Sequence, residues 1–369
     1  MKTIRRLLYR DIVSSVVFVV VAFLSLFYFI DFVDELEQVG RNGRTVWHAM
    51  LAAAFELPRH FYELFPIAVL IGTIFSLARM AQSSEFTILR TGGLGPRRAL
   101  GLLATLGLAF AALTFLVGDY AAPVSERQGV ELQARLSGGL TIEGGAWLKE
   151  RRAAADGEHS YSVNVAGTST DGLLTGIRIF EFDADGAMVS RTQARQGRVA
   201  GDGHWLLTDV VVAQWPRARG SGLSQVTVQR HAQLRWASTL GADVVAAAVS
   251  PPDTMTTLEL WRYGKHLSGQ DQAAQRYEIR FWKKALYPLA CLVMMALALP
   301  FAYMHARSGS VSWKVFGGIL LGISFVLLNN LAGYIGLLRG WTPWLVAALP
   351  SLLYLLISMA AFTWLVRYR

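Results

Sequence analysis

The sequence predicts a membrane α-helical bundle of six transmembrane helices with an all-β domain inserted after the third. Three observations carry this. The 369 residues are 53% hydrophobic and only 17% charged, with a mean hydropathy of +0.37, whereas soluble domains carry about 25% charged residues. The apolar residues gather into long uncharged runs at both ends of the chain, so the excess is not one large core. Between the two groups of runs, short apolar stretches alternate with Gly and Asp turns, which is a β pattern.

Ile12 to Ile30 is uncharged for 19 residues behind Lys2, Arg5, Arg6 and Arg10, and no small-residue cleavage site follows, so it reads as a retained first span. Leu64 to Ala78 is shorter and needs Phe61 and Tyr62 to approach spanning length. Ala99 to Gly118, Ala285 to Met304, Val315 to Leu338 and Trp341 to Val366 are uncharged for 20, 20, 24 and 26 residues, each enough to cross a core of about 30 Å. Three spans therefore precede an insert of 166 residues and three follow it. Both termini then share one side. The segments on that side, Met1 to Asp11, Arg79 to Arg98, His305 to Lys314 and the Arg367 to Arg369 tail, are all basic, which places both termini in the cytoplasm and the insert outside, in the periplasm if the cell is Gram-negative.

Within the insert, Leu173 to Phe182 runs into the turn Asp183-Ala184-Asp185-Gly186. Arg198 to Ala200 passes through Gly201-Asp202-Gly203 into Trp205 to Ala213, and Ser224 to Trp236 alternates polar with apolar. Such strands build a sandwich, jelly roll or open barrel. Pro123 to Arg135 reads as a helical extension of the third span, and Thr256 to Trp282 as a polar helical return to the membrane. The domain boundaries are 1–122, with the first three spans, 123–275, with the β domain and its helical linkers, and 276–369, with the last three spans.

Several chemistries are excluded. The chain has no phosphate-binding G-x-x-x-x-G-K-[ST] loop, no H-E-x-x-H, no G-x-S-x-G and a single cysteine, Cys291, inside an apolar run. It holds no catalytic residues, no metal site and no cofactor of its own. The basic residues lie beside apolar runs rather than in one cluster, which argues for membrane orientation and against nucleic acid.

The loop between spans two and three, Arg79-Met80-Ala81-Gln82-Ser83-Ser84-Glu85-Phe86-Thr87-Ile88-Leu89-Arg90-Thr91-Gly92-Gly93, predicts a short helix. Ser83 or Ser84 can cap its start, Glu85 suits its positive end, and Gly92 or Gly93 can take a left-handed exit. Glu85, Ile88 and Leu89 fall on one face. From the residues alone, this helix either docks on a cytoplasmic partner or lies in the interface tying two spans together.

This loop, with Phe65-Pro66 ahead of it and Gly118-Asp119-Tyr120-Ala121-Ala122-Pro123 after it, resembles the lipopolysaccharide-export permease family LptF/LptG, also called YjgP/YjgQ. The similarity extends over the chain, through Phe32-Val33-Asp34-Glu35-Leu36, Trp282-Lys283 into Tyr287-Pro288, and Gly322-Ile323-Ser324-Phe325. Phe32 to Leu36 and Leu349-Pro350-Ser351 are more similar to the LptG branch. The resemblance implies a permease subunit of an ABC transporter that extracts lipopolysaccharide from the inner membrane. It also implies a β-jelly-roll insert that hands the lipid to a periplasmic jelly-roll bridge, an LptF-like second permease, an LptC-like single-span subunit and an LptB-like ATPase dimer that consumes ATP and Mg. Ser84, Glu85, Phe86, Ile88, Leu89 and Arg90 then form the coupling helix on the ATPase. An alternative is a scaffold or mechanotransmitting subunit driven by an ATPase with no lipid passage.

Lipid A requires apolar walls and cations at the outer interface, where Arg grips phosphate through two parallel bonds. Phe18, Phe23, Leu24, Phe27, Tyr28 and Asp31 of span one are the expected cavity residues. Relatives often carry bases just beyond this span, whereas this chain carries Asp31, Asp34, Glu35 and Glu37. Either these acids hold phosphate through a divalent cation, or the charge comes from Arg41, Arg44, Arg59, Arg276, Arg280, Lys283 and Lys284, the last four of which could equally snorkel to outer-leaflet headgroups or pair with nearby acids.

Overall fold

The computed structural model describes residues 2–40, 43–93, 95–137, 140–154, 157–168, 173–200, 203–215, 225–241, 244–245, 254–268, 274–303 and 311–367. Arg41, the 304–310 part of the basic loop and the last two residues of the tail lie outside them, as do the side chains of Phe86 and Arg90. Two compact units form: a helical unit of 1–39, 45–126 and 275–369, and a β unit of 40–44 and 127–274.

Six helices are long and apolar enough to cross a bilayer. The first is α1 (Lys2–Leu36) and the second α2 (Val46–Gln82), which far exceeds the short apolar run of its sequence. Its first turn is capped by a reciprocal Thr45–His48 box. A short α3 (Glu85–Thr91) leads to α4 (Pro96–Leu116), which passes through one π-turn at Val117–Ala121 into α5 (Ala122–Ser137).

Leu8, Ile12 and Val16, one helical turn apart, form the buried stripe of α1, and it meets α2 at Gly72, where a Cβ would lie 2.7 Å from the Val16 backbone. Small residues let membrane helices approach this closely and gain dispersion contacts that lipid cannot replace. After α6 (Thr257–Ser268), which belongs to the β unit, the later helices of this unit are α7 (Gln275–Leu286), α8 (Ala290–Tyr303), α9 (Val311–Arg339) and α10 (Pro343–Arg367). The central member is α8, apolar all round and buried on nearly every side, with Cys291 and Met294 fully covered. Gly318 and Gly322, one turn apart on α9, admit Ile74 and Ile67 of α2.

Trp47, Trp282, Trp313, Trp341, Trp344 and Trp364 of this unit stand at or near the helix ends and remain 37 to 71% exposed. Indole rings in that position form the interfacial belts of membrane proteins.

The inserted all-β domain is present. Its strands β1 (Leu140–Ala154), β2 (Gly157–Thr168), β3 (Leu174–Phe182), β4 (Met188–Ala200), β5 (His204–Gln214) and β6 (Thr227–Ala237) pair antiparallel in sequential order, a meander with no crossover among the described strands. One row of residues, Ala166, Gly176, Arg195, Asp209 and Ala232, is skipped by every ladder from β2 to β6, and the β1–β2 register shifts at the same level, between Thr141 and Ala146. Gly145, Gly176 and Asp209 on the odd strands take positive φ of 70°, 63° and 52°. The inward side changes sequence parity across this row, from Ala194 to Gly197 on β4 and from Leu207 to Val210 on β5. Bulges of this kind bend strands, so the row is a crease.

The sheet curls over an apolar interior of Leu148, Val163, Val165, Ile177, Ile179, Trp205, Leu207 and Val210. Trp205 is fully buried and donates to the Leu240 carbonyl at 3.2 Å. The curl brings the end of β6 against β1 and β2. Buried Glu150 accepts from Ser238 Oγ at 2.8 Å and Thr239 N at 2.7 Å, and the Arg152 guanidinium covers the Tyr161 ring at 3.9 Å and donates to the Ala237 carbonyl. The helix α6 (Thr257–Ser268) completes this unit.

Candidate functional site

The loop after α2 begins with its own termination device. Ser83 Oγ donates back to the carbonyls of Arg79 and Met80 at 3.2 and 3.3 Å, so it closes α2 rather than opening α3. Ser84 takes the left-handed conformation, φ 61°, and its carbonyl accepts from Ile88 N at 3.0 Å. The expected N-capping hydroxyl is therefore replaced by a sharp backbone reversal. At the other end Gly93 has φ 97°, as a left-handed exit requires.

On α3, Glu85 is exposed, Ile88 is 66% exposed and Leu89 packs into the core of the helical unit. The three residues do not share one environment. Leu89 anchors the helix, while Glu85 and Ile88 face outward as a carboxylate beside an apolar side chain. The backbone of Phe86 and Arg90 belongs to the same helix.

The structure adds two groups that no local pattern marks. Asp11, where α1 enters its apolar run, accepts from Ser76 Oγ at 2.5 Å and from the Arg79 guanidinium. Arg79 is also the residue whose carbonyl receives Ser83. A chain of direct bonds thus runs from α1 to the α2–α3 turn. At the other end of α1, Asp31 lies 2.7 Å from His60 Nε2, with the Phe27 ring 4.8 Å from the imidazole. The 20 residues from Asp11 to Asp31 span about 30 Å of helix, the thickness of a hydrocarbon core. These two polar clamps bracket the apolar part of the α1–α2 pair.

Of the expected cavity residues on α1, Phe18 is 75% exposed, whereas Phe23, Leu24, Phe27 and Tyr28 are half-buried. Tyr28 stacks on Phe32, centroids 6.4 Å apart, and Phe27 and Asp31 are turned toward His60. Phe18 shares the outward face of α1 with Val17, Val21, Leu26, Phe29, Ile30 and Val33.

The expected cations differ in their engagement. Arg59 is held by Glu63 at 3.1 Å and Glu56 at 3.6 Å. Lys283 donates to the Asn329 carbonyl at 2.7 Å, and Gly333 leaves the room its ammonium needs. Arg276, Arg280, Lys283 and Lys284 fall at i, i+4, i+7 and i+8 of α7, one arc of the helix, and Arg276 is its exposed member. Arg44 precedes α2, and its carbonyl accepts from Gly40 N at 3.0 Å. Among the described residues no three His, Cys, Asp or Glu side chains converge as metal ligands, and Asp31 is committed to His60.

Six helices long and apolar enough to cross a bilayer, a tight loop helix between the second and third, and a creased β insert with an apolar interior define the class: a multi-pass membrane protein with an inserted β domain. The sequence profile of the family described as lipopolysaccharide export system permease LptF/LptG matches residues 6–366. The chain belongs to that family. Relatives include the lipopolysaccharide export system permease protein LptG of Haemophilus influenzae, 26% identical over 358 residues, 96% of each chain, and the LptG of Escherichia coli strain K12, 27% identical over 355 residues, 95% of each chain.

Proposed function

We propose that this chain is an LptG-type permease subunit that extracts lipopolysaccharide from the inner membrane and passes it to a periplasmic bridge. Its termini and α3 face the cytoplasm, and its β domain faces the periplasm. Energy comes from an LptB-like ATPase dimer, since this chain carries no phosphate-binding loop of its own. An LptF-like permease shares the cavity, and an LptC-like subunit joins the assembly.

The observation that carries this reading is α3. It presents Glu85 and Ile88 outward, is rooted by Leu89, and is linked through Ser83 and Arg79 to Asp11 of α1. A movement imposed on α3 by a closing ATPase reaches α1 through bonds rather than through a slack loop. The exposed stripe around Phe18 supplies apolar wall for acyl chains, and Arg276 supplies a cation for phosphate.

The test uses the complete complex in vesicles. Glu85→Lys should leave the chain inserted but uncouple ATP hydrolysis from lipid release, with release falling at least tenfold at unchanged or raised basal hydrolysis. Normal release by that variant would remove α3 from the mechanism.

A further inference from the structure

A second surface lies outside the loop and the apolar wall, on α6. Helix α6 opens on a reciprocal box: Glu259 N donates to Thr256 Oγ1 at 3.2 Å and Thr256 N donates to Glu259 Oε2 at 2.8 Å. The same carboxylate takes the Arg127 guanidinium of α5 at 2.6 and 2.7 Å. These bonds, rather than burial, dominate the charge of Glu259: burial alone would raise its pKa, yet the backbone bond from Thr256 and the Arg127 pair lower it below the usual carboxylate value. Leu260, Tyr263 and Gly264 are buried, which fixes the rotation of α6 about its axis.

The face left outward is unusual. Leu258, Trp261, Arg262 and Lys265, at i, i+3, i+4 and i+7, are all exposed, and the Lys265 ammonium lies 5.4 Å over the Trp261 ring. An exposed leucine and indole beside two cations suit neither water nor a protein core. They suit the headgroup layer, where the ring sits among glycerol groups and the cations among phosphates. Among the described residues no carboxylate pairs with Arg262 or Lys265.

The bonded lengths of chain between this region and the neighbouring apolar runs are limited. Arg127 stands nine residues past Gly118, the last residue of the third uncharged run, which is about 14 Å of helix. Between Ser268 and Gln275, where α7 begins, seven steps of chain reach at most about 25 Å.

We infer that the Leu258, Trp261, Arg262 and Lys265 face of α6 is a lipid-surface contact that binds the phosphates of anionic headgroups. The inference rests on the membrane reading of the helical unit and not on export, so the two can fail separately.

The experiment uses the full chain in nanodiscs of phosphatidylethanolamine with phosphatidylglycerol, and in nanodiscs of phosphatidylcholine alone. The native Cys291 is buried and stays in place. Nitroxides are attached through Leu258→Cys, Trp261→Cys and, as a reference in the β3–β4 turn, Asp185→Cys. At the first two positions collisions with lipid-soluble oxygen should exceed those with a water-soluble nickel chelate, and at the reference the ratio should invert. Adding Arg262→Glu and Lys265→Glu to Leu258→Cys should move that nitroxide toward water in the anionic discs and far less in the neutral ones. Water accessibility at Leu258 and Trp261 equal to the reference would overturn the inference. Shielding from both reagents, the sign of a protein cover, would overturn it as well.

Discussion

Asp11 shows how one residue joins structure to mechanism. A carboxylate at the edge of an apolar run is costly unless paired, and here Ser76 and Arg79 pair it from the neighbouring helix. Asp11→Asn keeps the shape but weakens the Arg79 bond, at a cost of about 1 kcal/mol, because the Arg79 side chain is more than half exposed and the pair is screened by solvent. Under the export reading, lipid release should fall several-fold while the ATPase still co-purifies; loss of the ATPase instead would make Asp11 a docking residue.

Glu181 supplies a second residue-scale prediction. Burial alone would raise its carboxyl, but hydrogen bonds from Ser190 at 2.6 Å, His159 at 2.9 Å and Tyr161 at 2.8 Å outweigh it and hold the pKa below the usual glutamate value. Such a group stabilises the fold above its ordinary pKa, and the benefit is lost as pH falls through the lowered one. Tyr161 behaves oppositely. Burial and then the bond to Glu181 push its phenol up to about 12, so its stabilisation is complete below about pH 10 and lost as pH rises through about 12. Hydrogen exchange of β2 and β3 amides, corrected for intrinsic rates, should quicken below about pH 4 and above about pH 11, and Glu181→Gln should remove the acid limb.

At the scale of elements, close approach and curvature depend on single positions. Gly72→Val would force α1 off α2 at Val16, an overpacking cost of about 1–3 kcal/mol, and should lower the melting temperature of the purified chain while loosening both polar clamps. Gly176→Val would place a branched side chain in a left-handed conformation against Ala166, costing about 1–2 kcal/mol from the backbone alone. Exchange should then quicken across the crease and leave α2 and α8 unchanged. The elements also differ in how plainly their sequences announce them. The turns around β3, β5 and β6 are marked by Gly and Asp, and these strands are legible. By contrast β1, β2 and most of β4 are not. The Lys149-Glu150-Arg151-Arg152 run looks like a solvated loop, yet Glu150 is buried because Ser238 and Thr239, nearly ninety residues away, satisfy it. In β2 the inward positions include His159 and Tyr161, whose Nδ1 and hydroxyl are met by Glu181 of the next strand, so no apolar alternation is visible.

For the whole molecule, charge-free length reveals five of the six spans, because a bilayer imposes a minimum that few other environments impose, while the second, with only Leu64 to Ala78 free of charge, falls short of that length. The α3 loop is legible too, through its serines, its acid and its glycines, although Ser83 serves α2 instead. The clamps of α1 on α2 are not, since Asp11 meets Arg79 across 68 positions of sequence and Asp31 meets His60 across 29. Asp11 reads in the sequence only as the end of a basic terminal segment and Asp31 only as a cavity or phosphate-site acid, so neither partner is visible. The most direct test of the whole is reconstitution of this chain with its partner permease, single-span subunit and ATPase in vesicles loaded with lipopolysaccharide, measuring ATP-dependent transfer to a periplasmic jelly-roll acceptor. Transfer that requires this chain, and that Glu85→Lys abolishes, is the predicted result. Hydrolysis with no transfer of lipopolysaccharide, or transfer that proceeds without this chain, would contradict it.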